Sequence, residues 1–313
     1  MRQIVLLVGP TAVGKTDAAC ALQDLLGGDR APLISADSAM VYRGMDIGSA
    51  KPTPSELARH PHALIDIRDP EQTYTAADFV KDADACASQA LDAGQIPILV
   101  GGTMLYVKRF LEGIAVLPEA DAQLRALLKQ QFDEQGGAQL HAELAAIDPA
   151  AAANIHPNNP QRLLRAIEII RLTGRSLSEQ WQELNSPRAV ERLTATISVF
   201  AILPDDRRAL HDRIEKRFEA MLAAGFEREL VELVKRPGVG PDLPAMRAVG
   251  YRQGLAYLAG ELNAAEFRAK ALTATRRLAK RQLTWLRGWP EISTMSWGDP
   301  AWLALQMQKS LEA

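Results

Sequence analysis

Two cysteines, Cys20 and Cys86, are all that 313 residues contain. Without C-x-x-C spacing they make neither a disulfide framework nor a zinc site, and a reducing cytoplasm fits such usage. No stretch approaches the roughly 20 apolar residues of a membrane helix. The apolar run Ile4 to Val8 is too short for a signal-peptide core and passes straight into Gly9 and Pro10, so it reads as a buried strand. A soluble, cytoplasmic protein with no membrane partner is expected. Internal repeats and low-complexity tracts are missing too. Net charge is only −2, which taken alone argues against a nucleic-acid partner.

That average conceals a segregated distribution. Arg268, Lys270, Arg276, Arg277, Lys280, Arg281 and Arg287 follow one another with no acid between them. On a helix, Arg277, Lys280, Arg281 and Thr284 share one side at spacings of three and four, with Trp285 and Trp289 alongside. A second patch follows the turn at Pro157 to Pro160, where Gln161, Arg162 and Arg165 open a helix, with Arg171 and Arg175 further along. A solvated helix face explains either patch alone; the two together favour nucleic acid.

Periodicity gives the organisation. Gln3 to Val8 reads as a strand, Gly9 to Thr16 as a glycine-rich turn, Lys15 to Leu26 as a helix and Pro32 to Ala36 as a second strand. Ala76 to Ala93 has helical composition, Ile96 to Val100 is a third strand, and Gly101-Gly102 turns the chain into the stretch Thr103 to Glu112. Alternation of this kind predicts an α/β fold, a P-loop NTPase-like parallel sheet flanked by helices. From about Pro118 the strands stop, and Glu119 to Gly174 offers helical stretches broken at Gly136-Gly137, Pro149 and Pro157 to Pro160. Thr194 to Leu203 restores a strand, with one more near Ile292 to Met295. The expected division is a core of residues 1–117 and 194–313 with a helical insertion domain, 118–193, for nucleic acid.

Gly9-Pro10-Thr11-Ala12-Val13-Gly14-Lys15-Thr16 matches G-x-x-x-x-G-K-[ST] between a strand and a helix. Its glycines let backbone N–H groups close round phosphate oxygens, the helix N-terminus adds its dipole, Lys15 adds a point charge, and the Thr16 hydroxyl can ligate Mg²⁺. An NTPase usually carries a further strand ending in a Mg²⁺-binding aspartate. Here the third strand ends in Gly101-Gly102-Thr103. The acid at a strand end is instead Asp37, in Leu33-Ile34-Ser35-Ala36-Asp37: a proton acceptor, a Mg²⁺ ligand or a helix N-cap. Gly101 and Gly102, lacking Cβ, can admit a ligand closely while the Thr103 hydroxyl points into the same cleft; a plain turn with a Thr N-cap is the alternative. Arg213 and Arg217 share a helix face, where surface charge is the default reading.

Seven blocks, GPTAVGKT at 9, ISADSAMVYRGMDIGSAKP at 34, HALIDIRDP at 62, PILVGGTMLY at 97, HPNNPQRLLRAIEI at 156, RAVGYRQ at 247 and TRRLAKRQLTWLRGW at 275, resemble the tRNA dimethylallyltransferase family. The resemblance runs nearly end to end, sparing Glu183 to Leu193 and the last twenty or so residues. It implies transfer of a dimethylallyl group from dimethylallyl diphosphate to the N6 amine of an adenosine beside the anticodon in a tRNA stem-loop, with Mg²⁺, by a monomer. Gly9 to Thr16 would then hold a leaving group, which accounts for the missing NTPase acid. Asp37, Thr103 and Arg217 would be catalytic, with Thr16 on the metal. The tRNA would meet Asp37, Ser38, Ala39, Met40, Thr103 and Arg125; Gln161, Arg162, Leu163, Leu164 and Arg165; Arg247, Ala248, Val249, Gly250, Tyr251 and Arg252; and Lys280, Arg281, Gln282, Leu283, Thr284, Trp285, Leu286 and Arg287. Many members read Asp-Ser-Arg-Gln where this chain has Asp37-Ser38-Ala39-Met40, so Arg and Gln contacts to bases flanking the target are lost. The residues alone also admit an ATP-dependent small-molecule kinase, prenylation of free AMP or ADP, or a non-catalytic RNA-binding or nucleotide-switch protein.

Overall fold

The computed structural model describes residues 2–114, 118, 121–183, 187–289 and 292–312. Its strands are β1 (Gln3–Val8), β2 (Leu33–Ser35), β3 (His62–Ala63), β4 (Ile98–Gly101), β5 (Thr196–Leu203) and β6 (Ser293–Ser296). They form one sheet in the order β3-β2-β4-β1-β5-β6, with every neighbouring pair parallel. Strand β1 lies in the middle, Val5 opposite Ile98 on one side and Ser198 on the other. Covered on both faces, Ile4 to Val8 are buried throughout, which is why this strand reads as a continuous apolar run without alternation. Because all strands point one way, the segments leaving β1, β2, β4, β5 and β6 emerge along one edge, where open α/β sheets bind ligands.

Two elements had no visible period. Edge strand β3 is two residues long, and the helix Pro54–Arg59 is set by its start: Thr53 and Glu56 form a capping box with Pro54 in the first turn. The chain divides into two compact units, Met1–Gly113 with Arg188–Ala313, and Ile114–Pro187. The short helix Ala189–Arg192 packs in the first, where Arg192 grips the Asp84 carboxylate at 2.8 and 2.9 Å and the Phe110 carbonyl at 2.8 Å.

The second unit is helical, and Leu128, Leu140, Leu144, Leu163, Ile167 and Ile170 form its own core. Glu168, fully buried, accepts from the Asp121 amide at 2.9 Å, Arg125 Nε at 2.9 Å and Arg165 Nη1 at 2.7 Å. A buried carboxylate is tolerated only when paired in this way.

In the first unit a carboxylate organises the loop after β2. Glu229 Oε2 accepts from the amides of Asp46 and Ile47 at 2.9 and 2.6 Å, while Oε1 accepts from the Gly48 amide at 3.1 Å and the Tyr251 hydroxyl at 2.6 Å. Gly48 is obligatory, since a Cβ there would overlap the Phe226 ring. Lys51, almost entirely buried, closes the other side of the loop by donating to the Tyr42 carbonyl and to Asp46 and Asp66. Glu229→Ala strands these donors and should lower unfolding free energy by about 2–3 kcal/mol. Urea denaturation checks this, and a loss under about 0.5 kcal/mol, the range of neutral surface changes, would mean that water replaces the carboxylate freely.

Candidate active site

The phosphate loop leaves β1 at Gly9, where a Cβ would stand 2.6 Å from the Ile202 carbonyl oxygen of β5. It closes on Gly14, whose φ of 91° lies in the left-handed region that glycine enters without strain. Ala12 also has positive φ, 68°, which costs a residue with a Cβ about 1–2 kcal/mol. The helix Lys15–Leu25 begins with no side-chain cap. Among the described residues, the amides of Gly14, Lys15, Thr16 and Asp17 therefore meet no acceptor. Unmet donors at a helix start, beside a lysine, are a site for an anion.

Lys15 curls over the loop and donates to the Pro10 carbonyl at 2.7 Å. It keeps some open surface in the cleft, yet the surrounding protein disfavours its charge. Burial first, then the neighbouring Arg217, lower its pKa to about 8, with Asp37 opposing. Arg217, half-buried, is likewise lowered by burial, while Asp37 and Asp17 favour its charge. The surface-charge reading of Arg217 gives way to a cationic wall of the cleft.

Asp37 follows β2. Its Oδ1 accepts from the Ala39 and Met40 amides at 2.8 and 3.3 Å, an Asx turn, and Oδ2 has no partner among the described residues. One oxygen builds the turn and the other is free for chemistry. Thr103 follows β4; its hydroxyl accepts from the Ser38 amide at 3.0 Å and donates to Ser38 Oγ at 3.2 Å, and although Thr103 holds the N-cap position of the helix Met104–Glu112 its side chain makes no cap bond. The two glycines before it serve the chain itself. A Cβ on Gly101 would overlap the Ala36 backbone, and one on Gly102 would stand 2.6 Å from Gln282 Nε2. Protein thus occupies both Cβ positions, while the two glycines also border the cleft.

Gln282 is the residue whose role no sequence signal disclosed. Its Oε1 accepts from the Thr11 amide at 2.9 Å and its Nε2 donates to the Gly102 carbonyl at 2.8 Å, tying the phosphate loop to the turn after β4. A glutamine within a basic stripe looks like one more surface contact; only the packing of the helix Ala264–Arg287 turns it inward.

Thr11, Lys15, Thr16, Asp37, Thr103, Arg217 and Gln282 line one cavity of about 1000 Å³, within the first unit, whose wall also includes the apolar Ile214, Phe218, Met221 and Leu278. The IPP transferase family model matches residues 40–289. A tRNA dimethylallyltransferase from Chromohalobacter salexigens is 54% identical over 285 residues, which cover 91% of this chain and 89% of the relative. The chain belongs to the IPP transferase family. Its fold is that of solved members: the full-length tRNA isopentenylpyrophosphate transferase of Bacillus halodurans superposes with a TM-score of 0.71 at 35% identity, covering 100% of this chain and 96% of the other. A eukaryotic dimethylallyltransferase acting on tRNA reaches a TM-score of 0.80 at 21% identity over 99% of this chain and 78% of its own, and that likeness concerns the fold.

In this IPP transferase the residues assigned to tRNA separate by burial. Lys280, Arg281, Thr284, Trp285 and Arg287 are exposed, and Arg277, Lys280, Arg281, Thr284 and Trp285 border one shallow depression, with Arg281 and Trp285 reaching the main cavity too. Lys108 Nζ lies 5.5 Å from the Trp285 ring centroid. Of the basic run, Arg268 and Arg276 are neutralised by Glu215 and Glu219. Arg247, Ala248, Val249 and Gly250 line the cavity, and Arg252 is exposed. Ser38, Ala39 and Met40 line it as well. Gln161 and Arg162 are exposed at the start of the helix Pro160–Thr173, and Leu164 is half-buried.

Several side chains do not face outward. Leu163 lies in the core of the second unit, Leu286 is buried and Leu283 half-buried, and Tyr251 is fully covered with its hydroxyl on Glu229. Gln282 is spent on the loop clamp. Arg165 is committed to Glu168 and the Pro118 carbonyl. Arg125, by contrast, stays exposed although its Nε binds Glu168. Helical spacing places a residue on a stripe, and packing decides which edge of the stripe reaches solvent.

Lys15 yields a test. An anion on the loop restores its charge, so anion binding takes up a proton where free Lys15, with a pKa of about 8, is partly neutral. The Lys15 contribution to diphosphate affinity should be constant below about pH 8, where the ammonium is charged, and affinity should fall above it. Calorimetry at pH 8.5 in buffers of different ionisation enthalpy should show proton uptake that Lys15→Met abolishes; no uptake in the unmodified protein would contradict the burial argument.

Proposed function

We propose that this chain transfers a dimethylallyl group from dimethylallyl diphosphate to the N6 amine of an adenosine beside the anticodon of tRNA, releasing diphosphate. The observation that carries the reading is the pairing of unmet amides at an anion loop with a free carboxylate oxygen, Asp37 Oδ2, in one cavity with apolar walls. The diphosphate lies on the amides of Gly14 to Asp17, with Lys15 and Arg217 beside it. The amine nitrogen bonds to the first carbon of the allyl group, the bond from that carbon to the bridging oxygen breaks, and its electron pair leaves with the diphosphate. Asp37 Oδ2 accepts the proton that the amine sheds. Charge develops on the departing oxygens, so the cations fixed around the loop stabilise the transition state more than the ground state.

Mg²⁺ fits this arrangement. The Thr16 hydroxyl has no partner among the described residues, and no group of three or more His, Cys, Asp or Glu is gathered there to bind a cation without substrate. One protein ligand, phosphate oxygens and water suit Mg²⁺, which would neutralise part of the leaving-group charge. The kinase reading is less well supported, because β4 ends in glycines packed against Ala36 and Gln282 where a metal-binding acid would stand.

The target base must leave its stack, which costs least in an unpaired loop. The exposed cations Arg277, Lys280, Arg281 and Arg287, with Trp285 among them, would follow the phosphate backbone towards the cavity. Arg162 and Gln161 would meet the tRNA from the second unit. With Ala39 and Met40 in the turn that Asp37 holds, recognition of flanking bases falls to backbone groups and an apolar wall. We place the enzyme in the cytoplasm as a monomer.

Incubation with dimethylallyl diphosphate, Mg²⁺ and unmodified tRNA should add a dimethylallyl group to adenosine, detected by mass; addition to free AMP or ADP alone would refute the tRNA assignment. Asp37→Asn keeps the Oδ1 acceptor of the turn and removes the base. Turnover should fall by about 10²–10⁴-fold with the thermal midpoint held, and activity within a few-fold of wild type would remove Asp37 from the proton transfer. Replacing Lys280 and Arg281 together by Gln should flatten the salt dependence of tRNA binding by up to about two units of log–log slope and leave donor binding intact. An unchanged slope would make the stripe a solvated face.

A further inference from the structure

Arg213 is a cation at the phosphate loop that neither the motif nor the proposed reaction employs. It sits one turn before Arg217 on the helix Arg207–Ala223, whose start is fixed by Asp206 accepting from the amides of Arg208 and Ala209 at 3.0 and 3.1 Å. Arg213 lines the main cavity, and its Nη2 lies 3.7 Å from where a Cβ on Gly14 would be. The guanidinium therefore lies against the part of the loop that carries the unmet amides. Asp17 Oδ2 approaches the same point at 3.8 Å, yet among the described residues Arg213 forms no ion pair.

What holds Arg213 there is an indole. Its guanidinium carbon is 5.1 Å from the Trp297 ring centroid. Trp297 follows β6 directly, and its amide donates to the Leu203 carbonyl at 2.8 Å, continuing the β5–β6 pairing by one residue. The ring is thus anchored by the sheet. An exposed arginine without a counter-ion samples many rotamers in water; stacking on an aromatic face removes most of them and leaves the charge intact. Arg213 also adds to the repulsion felt by Arg217, behind the effect of burial. Like charges held this close, around amides with no acceptor, are arranged for an anion.

We infer that Arg213 is a second arginine on the diphosphate, and that Trp297 is the positioning residue that holds it over the loop. The inference rests on the reading of the loop as a diphosphate site and is independent of prenyl transfer. Arg213 supplies a charge-assisted hydrogen bond to a non-bridging oxygen on the Gly14 side, opposite the Lys15 ammonium; Trp297 supplies no contact of its own.

The probe is inorganic diphosphate with Mg²⁺, bound to the full chain and measured by calorimetry, with tRNA binding measured separately. Arg213→Ala should weaken diphosphate binding by about tenfold or more, the value of one charge-assisted hydrogen bond, and raise the donor KM likewise with tRNA affinity unchanged. Trp297→Leu should weaken it by about two- to fivefold, and Trp297→Phe, which keeps a π face, should recover most of that. In an Arg213→Ala background, Trp297→Leu should have no further effect. Three outcomes would overturn the proposal: diphosphate affinity within twofold of wild type for Arg213→Ala, a loss confined to tRNA binding, or a Trp297→Leu effect that persists without Arg213. Tight diphosphate binding by a wild-type protein that transfers no prenyl group would refute the proposed reaction and leave this inference standing.

Discussion

The cleft is organised around the backbone amides of Gly14, Lys15, Thr16 and Asp17, which find no acceptor among the described residues. A helix ordinarily covers its first donors with a side-chain cap, as Thr53, Thr75 and Asn263 do elsewhere in this chain. Here the cap position is a glycine in a left-handed conformation, and the donors open onto a cavity. Lys15, Arg213 and Arg217 then gather charge of one sign where the backbone already presents positive dipoles. Burial first, and the neighbouring cations behind it, disfavour that charge, as the lowered Lys15 and Arg217 pKa values record. An anion on the loop offsets both penalties, so relief of buried, like charge becomes part of the energy of binding.

Much of this was legible in the sequence because it rests on local chemistry. The glycine, lysine and threonine of the loop declare themselves by spacing, β1 by its unbroken apolar run, and Asp37 by standing at the end of a strand. What stayed hidden depends on partners far along the chain. Gln282 lies 271 residues from Thr11, and no periodicity links an amide in a basic helix to a loop at the other end of the sequence. Tyr251 and Leu163 belong to recognisable blocks, yet burial claims their side chains, and a block pattern does not separate residues that touch a ligand from those that support them. Strand β3 escaped because two residues carry no period.

The glycines illustrate the same limit. Gly101-Gly102 after a strand suggests room for a ligand, and in the folded chain that room is filled by Ala36 and Gln282. The physical demand, absence of a Cβ, was legible; that Ala36 and Gln282 impose it was not, and both glycines border the cavity as well. Asp37 shows the converse. Helix cap and proton acceptor looked like competing readings of one carboxylate; a turn stands where the cap was considered, and it consumes Oδ1 and leaves Oδ2 without a partner among the described residues.

The Gln282 clamp ties the basic helix to the phosphate loop. Lys280, Arg281, Gln282 and Trp285 stand on one uninterrupted helix, so the outward side that presents cations and the inward amide that grips the Thr11 backbone cannot shift independently. A polyanion that shifted the helix from its outer face would also move the amide that holds the loop, and by linkage the reverse would hold with the same free energy. The stripe of cations and the mouth of the phosphate loop are thus two faces of one rigid element, pinned together at Thr11 and Gly102.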